Sequence, residues 1–230
     1  MSIHEGHRDR MRDRFQQYGL DSFNEIEALE MLLYYAVPRK DTNELAHALL
    51  DRFGSLYFVF SASVEELCEV PGISRNAAVL LMLAPQIIKK SEIGRASRIT
   101  TVNCVEDAVN VLSPRMKDEE DEIMMLVCLD GKKRISHMEV MSHGVVNGVS
   151  VDVRRVVELA LKHKAVSVII AHNHPHGPSM PSREDDTTTS LIYNALNTVG
   201  IKLYDHIIIA GDNYVSYRRS GTLDLYRFKY

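Results

Sequence analysis

Cysteine is scarce and unpaired in this chain of 230 residues. Cys68, Cys104 and Cys128 are widely spaced, odd in number and form no Cys-x-x-Cys pair. That excludes a cysteine-based metal site and is the usage expected of a protein kept in a reducing cytoplasm. Long apolar runs are missing too. No stretch approaches the ~18 apolar residues of a membrane span, and Met1 to Leu20 is charged, so neither a membrane helix nor a signal peptide is expected. Excess positive charge is also lacking. The net charge is −4; residues 1–100 hold 12 Lys/Arg against 14 Asp/Glu, and residues 101–230 hold 15 against 17. Neither half is basic, so bulk charge announces no nucleic-acid partner. No internal repeat or low-complexity tract is evident.

What the chain does have is concentrated between Ala171 and Asp186. The apolar run from Val166 to Ala171 reads as a buried strand with His172 and His174 at its carboxyl end. Residues two apart on a strand share a side, so both imidazoles can face one point while Asn173 faces away. Asp185 follows eleven residues after His174, beyond a loop punctuated by Pro175, Gly177, Pro178 and Pro181. Two histidines and a carboxylate are the protein ligands of an open catalytic zinc site, the fourth position being left for water. Plainer readings stand beside this one. Asp185 could simply favour the dipole of a helix's first turn, with Asp186 competing for the ligand role, and Ser182-x-x-Asp185 is itself a capping pattern. His137, His143 and His163 receive no ligand role, and His206 is a candidate for contact with a ligand from behind.

The first ninety residues read as all-helical. His4 to Tyr18 is a charged helix closed by Gly19. Its Arg8, Arg10, Arg12 and Arg14, interleaved with Asp9 and Asp13, form either a solvated face of local ion pairs or a phosphate-contacting arm. Ser22 or Asn24 opens an apolar helix to about Ala36. Asp41 with Glu44, and Ser63 with Glu66, resemble capping boxes for the next two helices. Val70-Pro71-Gly72-Ile73-Ser74-Arg75 then forms the tight turn of a helix-hairpin-helix, followed by a helix to about Lys90. In such a hairpin the turn's N–H groups and the second helix's N-terminus face a DNA phosphate, which makes Gly72, Ser74 and Arg75 candidate DNA contacts. Ser74 stands where a second glycine is usual. Ser91 to Thr101 reads as a linker, dividing the chain into a helical domain, 1–98, and a second domain, 99–230.

The second domain reads as mixed α/β. A helix from Val105 to Met116 and an acidic turn, Asp118 to Glu122, precede an apolar strand, Ile123 to Leu129. Asp130-Gly131 supplies hairpin chemistry for a returning strand, Arg134 to Met141, which Gly144, Asn147 and Gly148 break. Val151 leads into an amphipathic helix, Asp152 to Lys164. After the histidine strand, Ser182 opens a helix to Val199, and Lys202 to Ala210 is a strand turned by Gly211-Asp212-Asn213 into Tyr214 to Arg218.

Glu139, His172-x-His174, Ser182 and Asp185 resemble the JAB/MPN+ (JAMM) metalloprotease signature. Together with His-Asn-His-Pro, Pro-Ser-Arg-Glu-Asp and an upstream helix-hairpin-helix, they resemble the bacterial RadC family in particular. His176 departs from the pattern, standing where that family has a small serine. The resemblance implies an α+β chain: a small helical domain followed by a mixed-sheet domain of the JAB/MPN, cytidine-deaminase-like type. It further implies one Zn²⁺ per chain on His172, His174 and Asp185, with a bound water whose pKa falls to roughly 7. Glu139 would take that water's proton and return it to the leaving amine, and Ser182 would hydrogen-bond the developing oxyanion. The expected activity is zinc-dependent cleavage of a peptide or isopeptide bond in an unidentified substrate. The other reading is a DNA-binding accessory protein of repair or recombination with a structural or weakly active metal site.

Overall fold

The computed structural model describes residues 3–38, 40–143 and 152–226, so the breaks expected at Gly144, Asn147 and Gly148 lie outside the described residues. The chain divides into two compact units, 1–90 and 91–230, and no helix among the described residues is long and apolar enough to cross a membrane.

The first unit is helical: α1 (Ile3–Tyr18), α2 (Glu25–Leu33), α3 (Asn43–Phe53), α4 (Leu56–Ser61), α5 (Val64–Cys68) and α6 (Arg75–Ala96). Capping boxes at Asn24/Glu27 and Ser63/Glu66 satisfy the first N–H groups of α2 and α5. The box expected at Asp41/Glu44 does not form. Thr42 is the N-cap of α3, without a side-chain bond, while the Asp41 carboxylate accepts the Asn43 N–H at 2.9 Å. The linker expected at 91–101 is largely helical. Glu92, Ile93, Arg95 and Ala96 continue α6 past Lys90, since one internal glycine, Gly94, costs only about 1 kcal/mol. Leu29, Leu33, Leu49, Leu67, Ala77 and Leu81 form the unit's buried core. The arginines of α1 are mostly spent on it. Arg8 donates to the carbonyls of Val37, Pro38 and Lys40, Arg12 pairs with Asp9 and Arg14 with Glu27.

The second unit is built on a five-stranded sheet. After α7 (Val105–Met116) come β1 (Ile123–Leu129), β2 (Ile135–His143), α8 (Val153–Lys162), β3 (Ser167–Asn173), α9 (Arg183–Thr198), β4 (Lys202–Ala210), β5 (Asn213–Ser216) and α10 (Thr222–Tyr226). The strand order is β2-β1-β3-β4-β5, antiparallel except for the β3/β4 pair. The architecture is α+β, as the JAB/MPN resemblance implies. Continuous apolar sequence in β1 and β3 suits burial on both faces, and every residue of both strands is buried. One face (Met124, Leu126, Cys128, Val168, Ile170) is covered by Val156, Leu159 and Ala160 of α8 and Ile192 and Leu196 of α9. The other is covered by Ala108, Leu112 and Met116 of α7. Each such aliphatic side chain contributes roughly 1.5–3 kcal/mol of burial, which makes the two central strands a rigid platform. β1 begins beside the end of β3, with Met124 opposite His172.

Candidate metal centre

The platform delivers its functional groups at one end. β3 presents His172 on the face covered by α8 and α9, and His174 follows just beyond the strand. Ser182 caps α9 and closes a reciprocal box: its hydroxyl accepts the Asp185 N–H at 3.0 Å, and the Asp185 carboxylate accepts the Ser182 N–H at 2.8 Å. The buried stripe of α9 runs Asp185, Thr188, Thr189, Ile192, Leu196. One helical face therefore docks on the sheet through its apolar end and supplies polar groups to the site through its beginning. Asp186 falls outside this role, because its carboxylate accepts the Tyr217 hydroxyl at 2.9 Å.

His172, His174, Asp185 and Glu122 each aim one ligand atom into a common space, all within 4.8 Å of one another. His172 Nε2 is 3.0 Å from His174 Nε2 and 3.0 Å from Asp185 Oδ1, and His174 Nε2 is 3.6 Å from Asp185 Oδ2. Ligands at 2.0–2.1 Å around a tetrahedral zinc stand about 3.3 Å apart, so these separations bracket the edge of such a tetrahedron. The hydrogen bonds behind the rings point the same way. His174 Nδ1 donates to the Pro178 carbonyl at 2.7 Å, leaving Nε2 as the acceptor nitrogen. His172 Nδ1 meets His206 Nε2 at 2.8 Å, again turning its Nε2 toward the common space. Converging lone pairs and a carboxylate repel one another unless a positive charge lies among them, so the donor set fits a divalent cation.

Glu122 was hidden in the sequence among the five consecutive acids of Asp118–Glu122. Its Oε1 lies 3.9 Å from His172 Nε2, farther than His174 and Asp185, each at 3.0 Å. Asn173 places it. That buried amide accepts the Ile123 N–H at 2.7 Å and donates to the Asp121 carbonyl at 3.1 Å, gripping the backbone on both sides of Glu122. Strand alternation therefore does two jobs: His172 faces the site, and Asn173 holds the turn that carries Glu122. The side chains of His172 and Asp185 are 2% and 5% exposed, those of His174 and Glu122 18% and 21%, so the centre opens on the Glu122–His174 side.

Charge follows this geometry. Burial opposes ionisation of Asp185, but the His172 ring and the Ser182 N–H and hydroxyl outweigh it and hold the carboxyl well below its ordinary range. His206 is driven the other way, well below the usual imidazole value, by complete burial and then by the neighbouring His172.

Glu139 lies outside the group of four. Its register partner is Leu126, itself opposite Ile170, so it sits two strands away, about 10 Å across the sheet and about 7 Å along it from His172. There it pairs with Arg155 at 3.0 Å and His137 at 2.9 Å, and those two partners, His137 first, lower its pKa. The Ser182 hydroxyl donates to Asp185 Oδ2 at 2.7 Å. His176 is exposed and outside the group. In the first unit Gly72 has φ +90°, a left-handed backbone that strains any other residue, so local conformation alone accounts for the glycine. Ser74 caps α6 by accepting the Ala77 N–H at 3.3 Å, and Arg75 is exposed.

Comparison with known proteins covers both units. Residues 102–222 match the RadC-like JAB domain, and residues 4–79 match the UPF0758 N-terminal family. A UPF0758 protein of Fusobacterium nucleatum is 34% identical over 226 residues, which cover 95% of this chain and 97% of that protein. Another, from Pseudoalteromonas translucida, is 32% identical over 214 residues, covering 93% and 96%. With a helical N-terminal unit, a five-stranded mixed sheet and a histidine–carboxylate centre at the end of β3, the chain belongs to the UPF0758 family, whose C-terminal part is a RadC-like JAB domain.

Proposed function

We propose that the 91–230 unit is a zinc-dependent amide hydrolase of the metallopeptidase type, with Glu122 rather than Glu139 as its proton-transfer group. The observation that carries this reading is the convergence of Glu122 with His172, His174 and Asp185. Two imidazoles and one carboxylate are a donor set that suits zinc. When bound there, the metal supplies Lewis acidity and brings the pKa of a water from 15.7 to roughly 7. Glu122, at the open side and farther from His172 than the other donors, takes the water's proton and hands it to the departing amine nitrogen. The Ser182 hydroxyl, committed to Asp185 in this structure, turns its proton to the substrate oxygen as negative charge grows there. The substrate class is a peptide or isopeptide.

Glu122→Gln tests the assignment. It is expected to lower turnover of a cleavable peptide, found by screening a peptide pool, by about 10²- to 10⁴-fold. Zinc stoichiometry should stay at one per chain, because the three stronger donors persist. Loss of zinc in Glu122→Gln would make Glu122 a ligand instead, and full activity would return the role to another group. In parallel, Glu139→Gln is expected to retain activity within about threefold.

A second reading concerns the α5–α6 hairpin. Pro71, Gly72, Ser74 and Arg75 are exposed, and the capped N-terminus of α6 offers outward N–H groups to a DNA phosphate. Binding to duplex or forked DNA should then weaken steeply with salt and fall on Arg75→Ala. Salt-insensitive or absent binding removes this reading. Gly72 is a poor probe, because replacing it strains a left-handed backbone at φ +90°.

A further inference from the structure

We propose that Thr189 and His206 form an oriented hydrogen-bond relay that commits His172 to offering Nε2, making both of them positioning residues of the metal centre. The purpose of the relay rests on the metal reading above; its wiring does not.

The wiring follows from one hydroxyl proton. Thr189 Oγ1 lies 2.5 Å from the Asp185 carbonyl oxygen and 2.6 Å from His206 Nδ1. A carbonyl can only accept, so the hydroxyl proton goes to Asp185, and Thr189 must accept from His206 Nδ1–H. His206 is fully enclosed, 1% exposed, with its ring stacked on Tyr217 at a centroid distance of 4.7 Å. With its proton on Nδ1, its Nε2 is an acceptor and receives His172 Nδ1–H at 2.8 Å. His172 is then left with Nε2 for the common space it shares with His174 and Asp185.

The opposite wiring is excluded by one contact. If Thr189 gave its proton to His206 Nδ1, His206 Nε2–H would donate to His172 Nδ1. The His172 proton would then sit on Nε2, 3.0 Å from Asp185 Oδ1. Two oxygens, of Thr189 and Asp185, would also face each other at 2.5 Å with no proton between them. The carbonyl of Asp185 decides the matter. One residue at the start of α9 thus places a carboxylate in the site and, through its backbone, selects the tautomer of a histidine on another element. The relay runs between three separate elements, α9, β4 and β3, and all its members are buried.

The test reads proton positions as well as affinity. ¹⁵N spectra of the histidine rings, in the metal-free and the zinc-loaded full-length protein, are expected to show His206 protonated on Nδ1 and not on Nε2 in both states. Thr189→Val keeps the shape and removes the hydroxyl. It should lose that single-tautomer signature and lower zinc affinity about 10- to 100-fold in a competition titration. Thr189→Ser restores the hydroxyl and should restore both. A wild-type His206 protonated on Nε2 overturns the relay. So does a folded Thr189→Val protein that keeps the Nδ1–H signature and wild-type zinc affinity. Should Thr189→Val fail to fold, the wild-type ring spectrum decides alone. Wild-type protein that takes up no zinc yet shows His206 protonated on Nδ1 ends the metal reading and leaves the relay standing.

Discussion

Two histidine–carboxylate clusters share one face of the same sheet, and they are wired in opposite ways. In the first, His172 and His174 turn their Nδ1 atoms outward to His206 and Pro178, so acceptor nitrogens and the Asp185 carboxylate point inward together. In the second, Glu139 is already matched by Arg155 and His137, while the His137 and His163 rings lie parallel at 3.7 Å. Its charges are balanced within the cluster, and among the described residues only the first cluster collects ligand atoms suited to a metal. Residue type does not make the difference; where the protons are sent does.

The largest expected contrast is in metal affinity. His174→Ala or Asp185→Asn should weaken zinc binding by more than about 100-fold, beyond the usual effect of a second neighbour, while His137→Ala should leave it within about twofold. A chelator competition assay measures both. Strong weakening by His137→Ala would mean that the two clusters act as one centre.

Thermal stability comes next. Removing zinc should lower the melting temperature of the 91–230 unit, because a ligand present at about a thousand times its Kd contributes about 4 kcal/mol to the folded state. Calorimetry with and without chelator reads the shift, and the His137→Ala protein should show the same shift as wild type. An unchanged transition would mean that no metal is held.

Acid stability separates the clusters more gently. Asp185 has a folded pKa below its ordinary 3.8, so its contribution is present above that value and is lost as pH falls through the lower folded value. Asp185→Asn should therefore flatten the acid limb of metal-free unfolding curves. Glu139 is depressed in the same direction, but its side chain is 35% exposed, and solvent screening should keep the effect of Glu139→Gln to less than about 1 kcal/mol. An acid limb that Glu139→Gln changes more than Asp185→Asn would reverse the ranking.

The smallest effect belongs to the stacked rings. Burial, then His137 and Lys162, lowers the His163 pKa below its ordinary 6.5. A base whose pKa falls on folding binds fewer protons in the folded state, so stability should decline as pH drops below 6.5. With zinc bound, His163→Phe should remove a small pH-dependent shift in melting temperature between about pH 6.5 and 5. A shift that persists must come from other groups.

The sequence disclosed one of these clusters far better than the other. His172, His174 and Asp185 were legible because strand alternation and a helix start fix their directions locally. Asp185 could not be separated from Asp186 until the phase of α9 sent Asp186 to Tyr217. Glu122 was not legible. It is one acid among five, and only the antiparallel pairing of β1 with β3 brings it beside His172. Glu139 enters through the family resemblance alone; no spacing in the sequence says that two strands separate it from His172. The mixed sheet was readable from its apolar runs and turn residues. The end of α6 was not, because Ser91, Gly94 and Arg95 read as a linker while the helix runs on through them to Ala96.

Asn173 sets a rule for how this chain can change length. Its side chain joins the Asp121 carbonyl to the Ile123 N–H, which makes those positions a splice with no slack. Residues can be gained or lost before Glu119, where the turn leaves α7, without moving the Glu122 carboxylate. One residue added between Asp121 and Ile123 would put a different side chain where the Glu122 carboxylate now stands beside His172.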